Sequence, residues 1–195
     1  MDGKDAMPSS TRPDARLTYA DFLLFPDDGK RHELIDGEHY VTPSPNLRHQ
    51  ELLGRLHFAF AERLRANPSL GKVYFAPLDV VFSDWDIVEP DLIFVAGDQP
   101  ELLTEKNIVG APALVAEILS AGTRQRDQQL KRRLFERSGV REYWMVDPDK
   151  NAIVIHRRDE TGAVPRVGEF MAAENAVLTT PLLPGLSLPL PQLFA

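Results

Sequence analysis

The chain has 195 residues, with 22 Lys+Arg against 29 Asp+Glu, a net charge of −7 and no cysteine. That length is ample for a sizeable core, and the missing cysteine excludes disulfides, thiolate metal sites and a cysteine nucleophile while fitting a reducing, cytoplasmic setting. The acidic balance argues against gripping nucleic acid by bulk charge, and no apolar run approaches the roughly 18 residues of a membrane helix.

The first sixteen residues, with Pro8, Pro13 and paired serines, read as a flexible arm that lacks the apolar stretch of a signal peptide. Residues 17–195 read as one domain without internal repeats. Thr18 is an N-cap for a short helix over 19–25, ended by Pro26 and Gly29. In RHELIDGEHYVTP, Asp36-Gly37 between two short β-compatible runs predicts a hairpin, with Glu33 and Glu38 on either side of the turn. From 48 to 66 the period becomes helical: Leu53, Leu56, Phe60 and Leu64 recur at steps of three and four until Asn67 and Pro68 end it. Short strands are expected at 72–75 and 78–82, then a turn at 83–86. The segments 91–95 and 113–119 are almost continuously apolar, as strands covered on both faces are. The seventeen or so residues between them are long enough for a small helical excursion. A second helix is expected over 125–138 with Gly139 as its stop, then two strands in EYWMVDPDKNAIVIHRR. The Pro-rich apolar tail should be an extended segment packed on the body. The sum is a mixed α/β fold around one sheet.

Glu117, inside ALVAEIL, is the most informative residue. A carboxylate in a strand buried on both faces is costly unless it is hydrogen-bonded, paired or bound to a metal. Asp91 poses the same question at the head of DLIFV. Two such acids on neighbouring strands can share one hard cation, since Mg²⁺ is held by one or two carboxylates plus waters and substrate phosphates. A buried Glu–Arg or Glu–Lys pair explains Glu117 equally well, and an acid at a strand end, like Asp91, often faces water at the rim. Between Arg124 and Arg141 the chain carries seven basic residues against Asp127 and Glu136. That segment reads either as a solvated basic face or as a phosphate-facing patch. Asp127 and Lys131, spaced i, i+4, share a face near Leu130 and Leu134, so one of them can point toward Glu117.

Other chemistries find no support. His32-Glu33 begins the H-E-x-x-H zinc pattern, but Asp36 stands where the second histidine belongs, and there is no nucleophile elbow, Walker lysine or G-x-G-x-x-G loop. His49, near the start of the long helix, could approach a site, but a helix-terminal polar contact is the better default.

The order of motifs adds more than any one of them. RHELIDGE, PSPNLRHQ opening a helix, LDVVFSDWDIVEPDLIFV, PALVAEILS, DQQLKRR, GVREYWMVDP and a closing LPGLSL together resemble the Uma-type restriction-endonuclease family of the PD-(D/E)XK nuclease superfamily. The resemblance implies a restriction-endonuclease-like fold, an α/β (α+β) arrangement with a mixed β-sheet flanked by helices. It implies that Asp91 in EPD and Glu117 in AEIL bind Mg²⁺ or Mn²⁺. It also implies that Lys131 supplies the catalytic lysine from the following helix, since Leu119 occupies the usual lysine position, and that Glu33 completes the catalytic set. Phe135 stands where related sequences tend to have tyrosine. The implied activity is metal-dependent hydrolysis of DNA phosphodiester bonds; separately, the apolar tail and the paired cuts of a duplex make a homodimer plausible. The alternative is a catalytically inactive nucleic-acid-binding or assembly module that keeps the fold, and a third reading is a hydrolase of small phosphorylated substrates.

Overall fold

The computed structural model describes residues 16–122 and 124–195. The expected arm over 1–16 lies, apart from Arg16, outside the described residues. Helix α1 (Tyr19–Phe22) is a single turn in which Thr18 and Asp21 form a capping box, shorter than the run expected to 25. Strands β1 (Arg31–Ile35) and β2 (Glu38–Thr42) make the expected hairpin. Asp36 and Gly37 have φ of 56° and 77°, the two positive values a type I′ turn requires. Helix α2 (Leu47–Ala66) starts where the Asn46 side chain accepts the backbone N–H of His49, and it buries Leu52, Leu53, Leu56, Phe60 and Leu64.

Strands β3 (Gly71–Phe75), β4 (Val80–Ser83), β5 (Asp86–Val88) and β6 (Leu92–Ala96) follow. After them come a 3₁₀ turn (Pro100–Leu102), the two-residue strand β7 (Ile108–Val109) and the buried strand β8 (Leu114–Ile118). The expected second helix is in three pieces. These are α3 (Arg124–Arg126), a π-helical turn (Asp127–Lys131) and α4 (Arg132–Ser138), closed by Gly139 at φ 97°. Strands β9 (Glu142–Asp147), β10 (Ala152–Arg157), β11 (Arg166–Met171), β12 (Val177–Leu178) and β13 (Leu188–Pro189) come next, and α5 (Leu190–Leu193) is the last element. The tail packs on the body as expected, but it ends in the helical turn α5 rather than staying extended.

Instead of one sheet, the chain builds two main ones, which corrects the expectation. A five-stranded sheet runs β2-β1-β5-β4-β7, and a six-stranded sheet runs β11-β10-β9-β8-β6-β3, beside a small β12–β13 pair. Both large sheets are mixed: β4–β7 and β8–β9 are parallel pairs among antiparallel neighbours. The reason lies at Glu89-Pro90-Asp91. Proline lacks an N–H for the ladder, so the chain leaves the first sheet after β5 and joins the second at β6. The seam between the sheets therefore carries Glu89 and Asp91.

The six-stranded sheet is covered on both faces. On one face Phe94, Trp144 and Ile153 pack against the α2 stripe and the tail residues Leu183, Leu186, Leu190 and Leu193. On the other, Val115, Tyr143 and Met145 meet Leu134 and Phe135 of α4 together with Ile35 and Val88 of the five-stranded sheet. Each such large side chain taken fully from water stabilises the fold by about 1.5–3 kcal/mol. Side chains alternate along a strand, so Glu117 shares the face of Val115 and is directed toward the helix side.

Candidate active site

The antiparallel register Leu92↔Ala116 and Ile93↔Val115 sets Asp91 opposite Glu117 at the head of β6. The backbone N–H of Ile118 donates to Asp91 Oδ2 at 2.8 Å. Asp91 Oδ2 also meets His49 Nε2 at 3.0 Å, while Arg31 Nη1 donates to Oδ1 at 2.7 Å. From the π-helical turn, Lys131 Nζ reaches Glu117 Oε1 and Glu33 Oε1, both at 2.7 Å, and lies 3.9 Å from Asp127 Oδ1. Arg126 approaches Glu33 Oε2 at 3.5 Å and donates to Thr42 Oγ1 at 2.6 Å. Thus the structure brings Asp91, Glu117, Lys131 and Glu33 into one buried cluster at the seam. Arg31, His49, Asp91, Glu117, Arg126 and Lys131 share the wall of a cavity of about 400 Å³. Glu33, 1% exposed, stands behind Lys131.

A π-helical turn is rare and costs regular hydrogen bonding. Here the hydroxyl of Tyr143, on β9, donates to the Asp127 carbonyl at 3.0 Å and so ties the wide turn to the sheet. Asp127 and Lys131 are both buried on it. Phe135 packs its ring 4.9 Å from that of Tyr143.

The charges are unevenly settled. Burial alone would raise Asp91, but the hydrogen bond and charge of His49, the Arg31 guanidinium and the Ile118 N–H outweigh it and bring its pKa to about 2. Burial likewise works against an ionised Glu33, and Lys131 and Arg126 overcome it, so Glu33 lies below the ordinary carboxylate range. Glu117 goes the other way. Burial, joined by the negative charges of Asp91, Asp127 and Glu33, holds it well above the usual range despite Lys131. Burial would strip the proton from Lys131, but Glu117, Glu33 and Asp127 hold it on. Nearby, burial together with Asp79 and Glu33 pushes Glu89 up to about 7 against Arg31 and Lys131, and its Oε2 has no hydrogen-bond partner among the described residues.

Much of the basic segment is engaged with neighbouring acids. Arg124 pairs with Asp147 and Asp149, Arg132 with Glu136, Arg137 with Asp36 and Asp86, and Arg141 with Asp98. Of the segment, Arg126 and Lys131 line the cavity. Sequence reasoning missed Arg31 and took the approach of His49 to a site as the lesser of two readings. Arg31 lies two residues before Glu33, the spacing that shares a strand face. His49 sits three residues after its helix cap and turns across to β6 rather than ending in a helix-terminal contact.

Among the described residues, no group of three or more His, Asp or Glu side chains is arranged to hold a metal ion. The donor set that fits a cation is the carboxylate pair Asp91 and Glu117. Two oxygen ligands suit Mg²⁺ or Mn²⁺, whose remaining positions are taken by water and phosphate. The crowding of negative charge on Glu117 is what a divalent cation would relieve.

No helix among the described residues is long and apolar enough to cross a membrane. No curated protein matches the chain. A crystal structure from Anabaena variabilis ATCC 29413, described as "a putative nuclease belonging to DUF820", is 20% identical. It superposes with a TM-score of 0.74 over 91% of this chain and 97% of that one, so the two share a fold. The mixed α+β arrangement expected from the motif order is therefore the one found. The family model "Uma2: Putative restriction endonuclease" matches residues 19–191. With nearly its whole length matched, the chain belongs to the Uma2 family.

Proposed function

We propose that this protein is a divalent-metal-dependent endonuclease that hydrolyses DNA phosphodiester bonds with water as the nucleophile. One observation carries the reading: Asp91, Glu117 and Lys131 meet at the wall of one cavity, an arrangement that a purely structural Glu117–Lys131 pair does not need. An ammonium delivered from the helix makes up for Leu119, and that favours a nuclease over an inactive module of the same fold.

Mg²⁺ or Mn²⁺ held by Asp91 and Glu117 would act as a Lewis acid, acidifying a water and offsetting charge on the phosphodiester. The chain's own residues do the rest. His49 and the Ile118 N–H hold the Asp91 carboxylate through Oδ2, so its orientation does not depend on the substrate. Lys131 keeps its proton, which makes it a fixed positive charge and hydrogen-bond donor rather than a base. It orients the attacking water and offsets charge on the phosphoryl oxygens as the water oxygen adds to phosphorus, giving its proton to solvent, and the bond to the leaving sugar oxygen breaks, that oxygen taking a proton from solvent. Glu33 is a positioning residue that holds Lys131 from behind.

The test is cleavage of supercoiled plasmid with Mg²⁺ or Mn²⁺ by the native chain and by Asp91→Ala, Glu117→Ala and Lys131→Ala. Cleavage by the native chain alone is expected, and equal cleavage by all four would overturn the assignment. Two copies acting together on a duplex would release linear product rather than only nicked circles.

A further inference from the structure

Arg31 and Glu33 lie two residues apart on β1 and face the same way, and each grips a different part of the site. Arg31 Nη1 is 2.7 Å from Asp91 Oδ1 and 3.4 Å from the Glu89 carbonyl. The two oxygens of Asp91 are not equivalent. Oδ2 already meets His49 Nε2 and the Ile118 N–H, and a carboxylate oxygen offers about two lone-pair sites. The oxygen with room for a cation is therefore Oδ1, and Arg31 stands on it.

Arg31 also has open space beside it. Its side chain is 19% exposed, and it lies in the wall shared by the cavity above and a neighbouring one of about 390 Å³. That second cavity is bounded by Lys30, Pro77 and Glu89 as well. A guanidinium and a divalent cation on the same oxygen repel strongly at this range. Arg31 uses only Nη1 on Asp91, and a released guanidinium can fork onto two phosphate oxygens.

We propose that Arg31 is a built-in competitor of the divalent cation for Asp91 and, once displaced, presents its guanidinium to the scissile phosphate. This rests on the metal-dependent nuclease reading above. It keeps Asp91 paired until the cation arrives, and it couples cation binding to the appearance of a phosphate ligand.

The test is calorimetric titration of the full chain with Mn²⁺, comparing the native protein with Arg31→Gln and Arg31→Lys, and plasmid cleavage by the same three. Arg31→Gln should bind Mn²⁺ about tenfold more tightly, because the competing charge is gone, yet cleave more slowly. Arg31→Lys, a point charge without the fork, should fall between. A purely structural arginine would loosen Mn²⁺ binding when removed. Circular dichroism monitors the fold, and Arg31→Lys carries the comparison if Arg31→Gln fails to fold. Mn²⁺ binding in the variants equal to or weaker than native overturns the role of Arg31 while leaving the cation site intact. No Mn²⁺ binding by any of the three overturns both readings, whereas binding by Arg31→Gln alone supports the competition.

Discussion

Two glutamates on adjacent parallel strands, Glu117 on β8 and Glu142 on β9, are equally hidden from water, at 2% and 0% exposure. Glu142 accepts hydrogen bonds from Trp144 Nε1 at 2.7 Å, Arg157 Nε at 2.5 Å and Thr180 Oγ1 at 2.9 Å. Its charge meets one cation and two neutral donors. Glu117 has Lys131, but it shares that ammonium with Glu33 and lies among Asp91 and Asp127. Burial therefore does not separate the structural acid Glu142 from Glu117, the acid proposed to work. The two differ in the unbalanced charge around Glu117 and in its place beside a cavity.

The largest effect that sharpens this contrast is on Lys131. Lys131→Met leaves Glu117, Glu33 and Asp127 without their shared cation, and it should cost about 3–5 kcal/mol of stability in urea unfolding. In a Glu117→Gln background the loss should shrink. An equal loss in both backgrounds would mean that Lys131 does not compensate Glu117.

The two glutamates should then separate cleanly when each becomes glutamine. Glu142→Gln should lose about 1–3 kcal/mol and still cleave plasmid. Glu117→Gln sheds a charge that its surroundings disfavour and keeps an oxygen for Lys131, so its stability should stay within about 1 kcal/mol of native. Its cleavage should fall about 100-fold or more. If instead Glu142→Gln were the inactive variant, the contrast would be reversed.

The smallest effect lies at Glu89. A carboxylate whose pKa rises from 4.5 to about 7 on folding binds its proton more tightly in the native state. Its stabilising contribution is complete below pH 4.5 and is lost as pH rises through about 7. Glu89→Gln should flatten the stability profile across that window, gaining on the order of 1–2 kcal/mol at pH 8. An unchanged slope would show that Glu89 ionises as freely in the folded chain as in the unfolded one.

Local chemistry explains which parts of this were readable beforehand. Asp36-Gly37 announces its turn because few other pairs tolerate two positive φ values. Glu117 stands out as a charge in an apolar run, and Lys131 follows from its spacing to Asp127 and from the motif order. Glu142 gave no such signal, because it opens its strand beside charged Arg141. The division into two sheets was hidden because β1–β5 and β4–β7 join segments distant in sequence, and no local pattern encodes that choice. Strand β11, RVGEFM, was missed because it is a mostly exposed edge strand without clean alternation. Arg31 was passed over, and His49 was given a local contact by default, for a similar reason: their partner Asp91 lies 60 and 42 residues away.

The tyrosine tether on the π-helical turn has a mechanical meaning. A lysine on an ordinary surface helix would drift with every small rocking of that helix, and its reach to a strand-borne acid would vary with it. The Tyr143 hydroxyl instead anchors the wide turn to β9, which is bonded in register to β8. The ammonium and its carboxylate thus share a single rigid reference frame. The separation between them is held by the sheet, and the helix only delivers the side chain to it.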